Sequence, residues 1–215
     1  MSTKTKQEAL FSTVIRDRHS VRKYDSNWKI PKDELNEILA EATLAPSGAN
    51  MQTWRFLVID EQTKKDILLP IANNQEQVVQ ASAVVAVLGD RQAIDKVDQI
   101  YNAAVQAGYM TEQAKSQMIK NIKGYFSDPH SDVVKRSVLI DGSLVSMQLM
   151  LSAKAKGYDT VPMLGYNEQA FRKAFGISDR YSTVMLIAIG KAAQPAHPTL
   201  RLPLEEVTFW NNMPE

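Results

Sequence analysis

The chain has 215 residues, 44% hydrophobic and 23% charged, which is ordinary globular composition and enough for one sizeable core. Lysine and arginine (25) nearly balance aspartate and glutamate (24), so a general electrostatic grip on nucleic acid is not expected and any anion must be bound by a local site. Without cysteine, disulfide scaffolds, thiol catalysis and Cys-ligated zinc or iron–sulfur centres are excluded as well.

The first residues, MSTKTKQEAL, are polar and lack an apolar h-region. The apolar run Val184–Ile189 is far too short to span a bilayer, so the expectation is a cytoplasmic protein without membrane or nucleic-acid partners. Phe11, Val14 and Ile15 follow helical spacing and lead into RHSVRKYD, Arg18 to Asp25. Pro31 opens the next helix, with Asp33 and Glu34 in its first turn, where the macrodipole favours acids. Leu35, Ile38, Leu39 and Ala42 form its apolar stripe, and it must stop before Pro46. WRFLVI (Trp54–Ile59) reads as a strand. AVVAVLG (Ala83–Gly89), continuously apolar, reads as a central strand, and Thr63–Leu69 between them as a helix.

Residues 91–127 are polar with a weaker helical pattern and read as helices outside the main core. Ser131–Lys156 is the strongest helix, apolar around much of its circumference. That marks either a central helix or a subunit interface, with Gly157 as its C-cap. Asp159–Met163 reads as a strand, Glu168–Phe175 as a helix and Thr183–Ile189 as a strand. The tail from Lys191 holds four prolines yet carries Leu200, Leu202, Leu204, Val207, Phe209 and Trp210, which suits an extended arm needing another surface. The whole chain, 1–215, reads as one domain, with 91–127 as a helical excursion and 191–215 as the arm.

The nine glycines are too scattered for G-x-G-x-x-G or a P-loop. The histidines, His19, His130 and His197, have no ligand spacing, no serine-hydrolase elbow is present, and no metal site is expected. What remains is the cation cluster, the segment APSGANMQTW, ANNQEQ before a strand, PMLGY after one, and the arginine of TLRLP. Asn50 and Gln52 offer paired donors and acceptors, suited to the edge of a planar heterocycle.

These pieces, in this order, resemble the nitroreductase family of FMN-dependent oxidoreductases over nearly the whole chain. The resemblance implies an α+β fold with a mixed, mainly antiparallel central sheet flanked by helices. It implies a homodimer that binds FMN at its interface and exchanges C-terminal arms. It implies that Arg18, His19, Ser20 and Arg201 hold the FMN phosphate; arginine's fork and serine's hydroxyl suit phosphate oxygens. Arg22 is implied beside flavin N1/O2, where a cation stabilises the reduced ring. Pro46, Ser47, Gly48 and Asn50 are implied as a cover from the opposite subunit, and Gln52 as a further flavin-binding residue. Asn74 and Gln77 are implied at the pyrimidine edge, and the Leu164 and Gly165 backbone near N5.

The implied activity is hydride transfer from NADH or NADPH through flavin N5 to electron-poor acceptors such as nitroaromatics or quinones, without a side-chain acid or base. Tyr109, Tyr125 and Phe126 are candidates for the substrate pocket or for packing. Three departures stand out. Leu164 replaces an acidic residue, Thr199 replaces a cation, and Thr53 replaces the proline of the commoner N-x-Q-P-W. Asn74 could instead cap the following helix. Alternatives of reaction remain: dehalogenation or flavin reduction on the same fold, a non-catalytic flavin-binding protein, or a nucleic-acid binder using Arg16, Arg18, Arg22 and Lys23.

Overall fold

The structure is a computed structural model that describes residues 11–213; the polar stretch Met1–Leu10 and the final two residues lie outside them. Four strands form one sheet in the order β1-β2-β4-β3. They are β1 (Trp54–Ile59), β2 (Ala83–Asp90), β3 (Asp159–Met163) and β4 (Tyr181–Gly190). Every neighbouring pair is antiparallel; the one parallel element among the described residues is the isolated bridge Ser20↔Thr160.

β2 is buried along its whole length, and its alternate residues serve two cores. Ala83, Val85 and Val87 join Leu35, Ile38, Val145 and Leu149 on one face. Val84, Ala86 and Leu88 join Leu68, Val78 and Phe171 on the other. Each fully buried valine or leucine contributes ~1.5–3 kcal/mol over leaving it in water, which is why a strand of continuous apolar residues settles in the middle.

The first face is covered by α2 (Lys32–Ala42) and α7 (Asp132–Ala155). Pro31 stands just outside α2 as its flanking residue, its φ preset for helix entry. α7 presses close on the sheet: a Cβ on Gly142 would lie 2.5 Å from Val184 Cγ2, and one on Gly89 2.6 Å from Val138 Cβ. The Ser131 hydroxyl caps α7 by accepting from Val134 N, and Gly157 at φ 80° follows its end. α7 has two characters. Val138, Asp141, Val145 and Leu149 are buried, whereas Val133, Ile140, Leu144 and Met147 are exposed. By length and composition α7 could cross a membrane, yet half of its apolar stretch is buried inside the protein, as in a core helix.

The second face is covered by α3 (Gln62–Ile71), α4 (Gln77–Gln80) and α8 (Glu168–Phe175). α3 runs two residues past the expected Leu69, because Pro70 falls in its last turn, where Ala72 N still reaches Leu68 O at 2.9 Å. α1 (Phe11–Asp17) precedes the cation cluster. The excursion is α5 (Val97–Gln106) and α6 (Glu112–Phe126), with a small core of its own: Met51, Ala93, Val97, Tyr101, Ile119 and Ile122. After β4 the described residues form no further α-helix or strand: Ala192 makes an isolated bridge to Tyr24, Leu204–Glu206 form one 3-10 turn, and Leu200, Leu202, Leu204 and Trp210 are exposed.

Candidate functional site

The predicted residues gather at two corners of the sheet. The first lies outside β3. Ser20 bridges Thr160, and Val21 N donates to Thr160 O at 3.1 Å, so Arg18–Arg22 lies beside the start of β3. Arg18, His19 and Ser20 are half-buried and Arg22 is exposed. Arg18, Arg22 and Arg201 face no carboxylate within ion-pair distance among the described residues. Arg22 Nη1 reaches only its neighbour's carbonyl, Ser20 O, at 3.5 Å. His19 Nδ1 lies 3.1 Å from Asp17 O. Lys23, by contrast, is paired with Glu76, whose carboxyl it holds below the usual range.

β3 runs from this cluster to Leu164 and Gly165, both exposed. The Gly165 N–H donates to no acceptor among the described residues, while its carbonyl accepts from Asn73 Nδ2 at 2.9 Å and Gln75 Nε2 at 3.0 Å. Asn73 and Asn74 sit in the left-handed region, φ 54° and 55°, which asparagine tolerates best after glycine. This corrects the capping alternative for Asn74: Glu76 precedes α4, no side chain caps it, and Asn74 is exposed. Gln77 is buried, with its amide donating to Gln75 Oε1 at 2.9 Å and lying 3.5 Å from Met163 Sδ. Its carboxamide therefore supports Gln75, which in turn supports Gly165.

The second corner is the loop Pro46–Thr53 before β1. Ala49, Asn50 and Gln52 have φ of 49°, 53° and 48°. Such conformations cost about 1–3 kcal/mol each for non-glycine residues and persist only where surroundings hold them. Here the hold is extensive. Gly48 N donates to Asp141 Oδ1 at 3.0 Å and Thr53 Oγ1 to Asp141 Oδ2 at 3.0 Å. Gln52 N donates to Ser47 Oγ at 3.0 Å, Tyr101 OH to Ala49 O at 2.8 Å and Arg55 Nη1 to Gln52 O at 3.0 Å. Met51 plugs the excursion's core. Burial pushes the Asp141 carboxyl up, against the pull of its two hydrogen bonds. Arg55 is itself held by Asp90, a fully buried carboxylate that also takes Arg180 at 2.7 Å.

The register places these corners far apart. Thr160 aligns with Ile189 and Ala83, whereas Trp54 aligns with Gly89, six residues further along β2. Ser20 therefore lies roughly 20 Å along the strands and about four strand spacings, roughly 19 Å, across the sheet from Trp54. Within one protomer the Arg18–Arg22 cluster and the 46–53 loop cannot touch one small ligand. Arg201 follows Pro198, which lines one cavity together with His19. It lies in the exposed arm, with Nη1 bonded only to Thr199 Oγ1 and Leu200 O.

A cavity of about 660 Å³ opens between this loop and α5, lined by Asn50, Gln52, Arg55, Lys96, Ile100 and Tyr109 among others. Tyr109 is on its rim, whereas Tyr125 is exposed elsewhere and Phe126 packs into the excursion's core. No group of three or more metal-ligating side chains occurs among the described residues.

Sequence reading missed Asp141, Asn73 and Gln75. The signal for Asp141 was a lone carboxylate in the apolar run VLIDGSLV, which must be hydrogen-bonded if buried. For Asn73, paired asparagines between helices signal left-handed backbone.

Together the fold and site define an α+β protein with an open, cation-lined corner and a rigid polar loop at the opposite corner of its sheet. The chain belongs to the nitroreductase family, whose model matches residues 15–191. It is 45% identical over 202 residues to YdgI of Bacillus subtilis, provisionally named an NAD(P)H nitroreductase, covering 93% of this chain and 97% of that one. It is 38% identical to the CLA biosynthesis enone reductase of Lactiplantibacillus plantarum, covering 86% and 88%. A nitroreductase, also provisionally named, of Exiguobacterium sibiricum, solved in complex with FMN, superposes with a TM-score of 0.90 at 47% identity, covering 96% of this chain and all of that one.

Proposed function

We propose that this protein is a cytoplasmic FMN-dependent oxidoreductase that carries hydride from NADH or NADPH to an electron-poor acceptor such as a nitroaromatic or a quinone. The observation that carries the reading is the amide of the exposed Gly165, without an acceptor among the described residues and fixed through its carbonyl by Asn73 and Gln75. The donor set fits FMN. Arg18, the His19 backbone, Ser20 and Arg201 would hold the phosphate; guanidinium groups without carboxylate partners suit a dianion. Asn74 would meet the pyrimidine edge. Arg22 would offset the negative charge that reduction places on the ring.

When bound, FMN supplies hydride acceptance and donation at N5, so the chain needs no acid–base triad. The chain's work is to bind, orient and hold charge. The separation of the two corners favours a homodimer in which Pro46, Ser47, Gly48, Asn50 and Gln52 of one copy cover the flavin held by the other. The exposed apolar stripe of α7 and the apolar arm support the same assembly. The enone reductase relative favours a second acceptor class, electron-poor C=C bonds.

The test is direct. Purified protein should be yellow, or turn yellow with added FMN, and should bleach anaerobically with NADH or NADPH. Colourless protein that binds no FMN overturns the reading. Binding without oxidation of either nicotinamide reduces it to a flavin-binding protein. A panel of nitroaromatic, quinone and enone acceptors then separates the acceptor classes.

A further inference from the structure

We infer that Asp141 is a positioning residue: from inside the long helix α7 it sets the conformation of the 47–53 loop, and through it the protein's grip on flavin. This rests on the flavin reading above. Asp141 is 2% exposed, and both of its carboxylate oxygens are spent on one loop, Oδ1 on Gly48 N–H and Oδ2 on the Thr53 hydroxyl. These partners stand at the two ends of the segment that contains the loop's three left-handed non-glycine residues, Ala49, Asn50 and Gln52. A single carboxylate therefore spans the strained turn like a clasp. A buried carboxylate spent on backbone and hydroxyl donors, with no cation bonded to it among the described residues, costs desolvation, and it must be offset by what its hydrogen bonds fix.

Thr53 gives the clasp its second half. A proline at this position would carry no hydroxyl and could not donate to Oδ2. The threonine departure and the buried carboxylate thus form one device. Asp141 also lies beside Ile140 on the helix whose other face, Ile140, Leu144 and Met147, is exposed and apolar. The element that would pack against a second copy is the same one that sets the loop.

The experiment uses full-length protein and four variants: Asp141→Ala, Asp141→Asn, Thr53→Val and the double variant Asp141→Ala/Thr53→Val. FMN dissociation constants are read by flavin fluorescence, thermal midpoints are recorded, and backbone hydrogen exchange of residues 47–53 is measured without flavin. Asp141→Ala should weaken FMN binding roughly ten- to a hundredfold, the cost of stranding two donors. Asparagine can accept from Gly48 N–H and donate to Thr53 Oγ1, so Asp141→Asn should recover most of that loss. Thr53→Val should weaken binding by a smaller factor, and its effect should vanish in the Asp141→Ala background. Loop amides should lose protection in Asp141→Ala even without flavin.

Asp141→Ala that is folded and binds FMN like the parent overturns the inference. So does an Asp141→Asn protein no better than Asp141→Ala. Should Asp141→Ala not fold, Thr53→Val decides, and unchanged affinity and loop exchange there overturn it. Parent protein that binds no FMN sinks the flavin reading instead, and the exchange measurement still tests the clasp.

Discussion

The two corners of the sheet are built on opposite principles. At the corner beside β3, polar groups point outward with little to hold: Arg18 and Arg22 face no carboxylate and the Gly165 amide donates to nothing among the described residues. At the corner before β1, a loop of eight residues donates hydrogen bonds to Asp141, accepts them from Tyr101 and Arg55, and makes a core contact through Met51. The first corner carries unmet bonding capacity, as a ligand site must. The second is already satisfied and so is rigid before anything binds. Unspent donors supply affinity, whereas a preorganised loop avoids the entropy of ordering on binding. A flavin shared between the two would take its charge contacts from one and its fixed shape from the other.

The sharpest way to break this contrast is at the open corner. Arg18→Ala and Arg201→Ala should each weaken FMN binding roughly ten- to a hundredfold, since charge-assisted bonds to phosphate are worth about 1.5–3 kcal/mol. Lys23→Ala should change it little, because Lys23 is already paired with Glu76 at an exposed site. Titration by flavin fluorescence quenching measures all three. Equal affinities would mean that the unpaired cations are ordinary surface.

The rigid corner is probed next through the helix beneath it. Gly142→Ala places a Cβ 2.5 Å from Val184 Cγ2, and a shift of α7 that relieves it carries the adjacent Asp141 with it. Overpacking of this kind costs about 1–3 kcal/mol. The melting temperature should fall and the 47–53 amides should exchange faster. Tyr101→Phe is gentler. It removes the donor to Ala49 O and should cost about 1 kcal/mol in denaturant unfolding, leaving Arg18-dependent binding contacts in place. An effect of Tyr101→Phe as large as that of Arg18→Ala would erase the distinction between a binding corner and a scaffold corner.

How much of this was legible beforehand follows from the range of each interaction. The four strands and the long helix declared themselves in runs such as AVVAVLG, because period and burial are local signals. Gly157 was readable for the same reason. The Arg18, Ser20 and Gly165 group was legible only as an ordered set of motifs. The clasp was not legible, since Asp141 lies 93 residues from Gly48 and 88 from Thr53, and nothing local to either end names the other. The same holds for Asn73, whose amide meets a carbonyl 92 residues away. The two faces of α7 were foreseen as one greasy circumference. Only the packing shows which side meets the sheet and which stays bare.

The smallest predicted effect tests the scaffold of the open corner. Lys65 on α3 is fully buried, and its Nζ donates to Val79 O at 3.2 Å and Ala81 O at 2.7 Å, tying α3 to the end of α4. Burial, then the nearby Lys29 cation, pulls its pKa down to about 8. The folded state therefore sheds this proton earlier than the unfolded chain, whose lysine keeps it up to the ordinary lysine range. Between these two values the unfolded state binds more protons, so stability rises with pH from about 8 upward. Tyr24 and Tyr158 act in the opposite sense above the ordinary tyrosine range, because burial raises both and the folded state keeps their protons longer. The window from about pH 8 to the onset of tyrosine ionisation therefore belongs chiefly to Lys65. Urea midpoints of the parent should rise across it, and those of Lys65→Met should stay flat. Parallel curves for the two proteins would show that Lys65 stays charged in its buried seat, held by its two carbonyls alone.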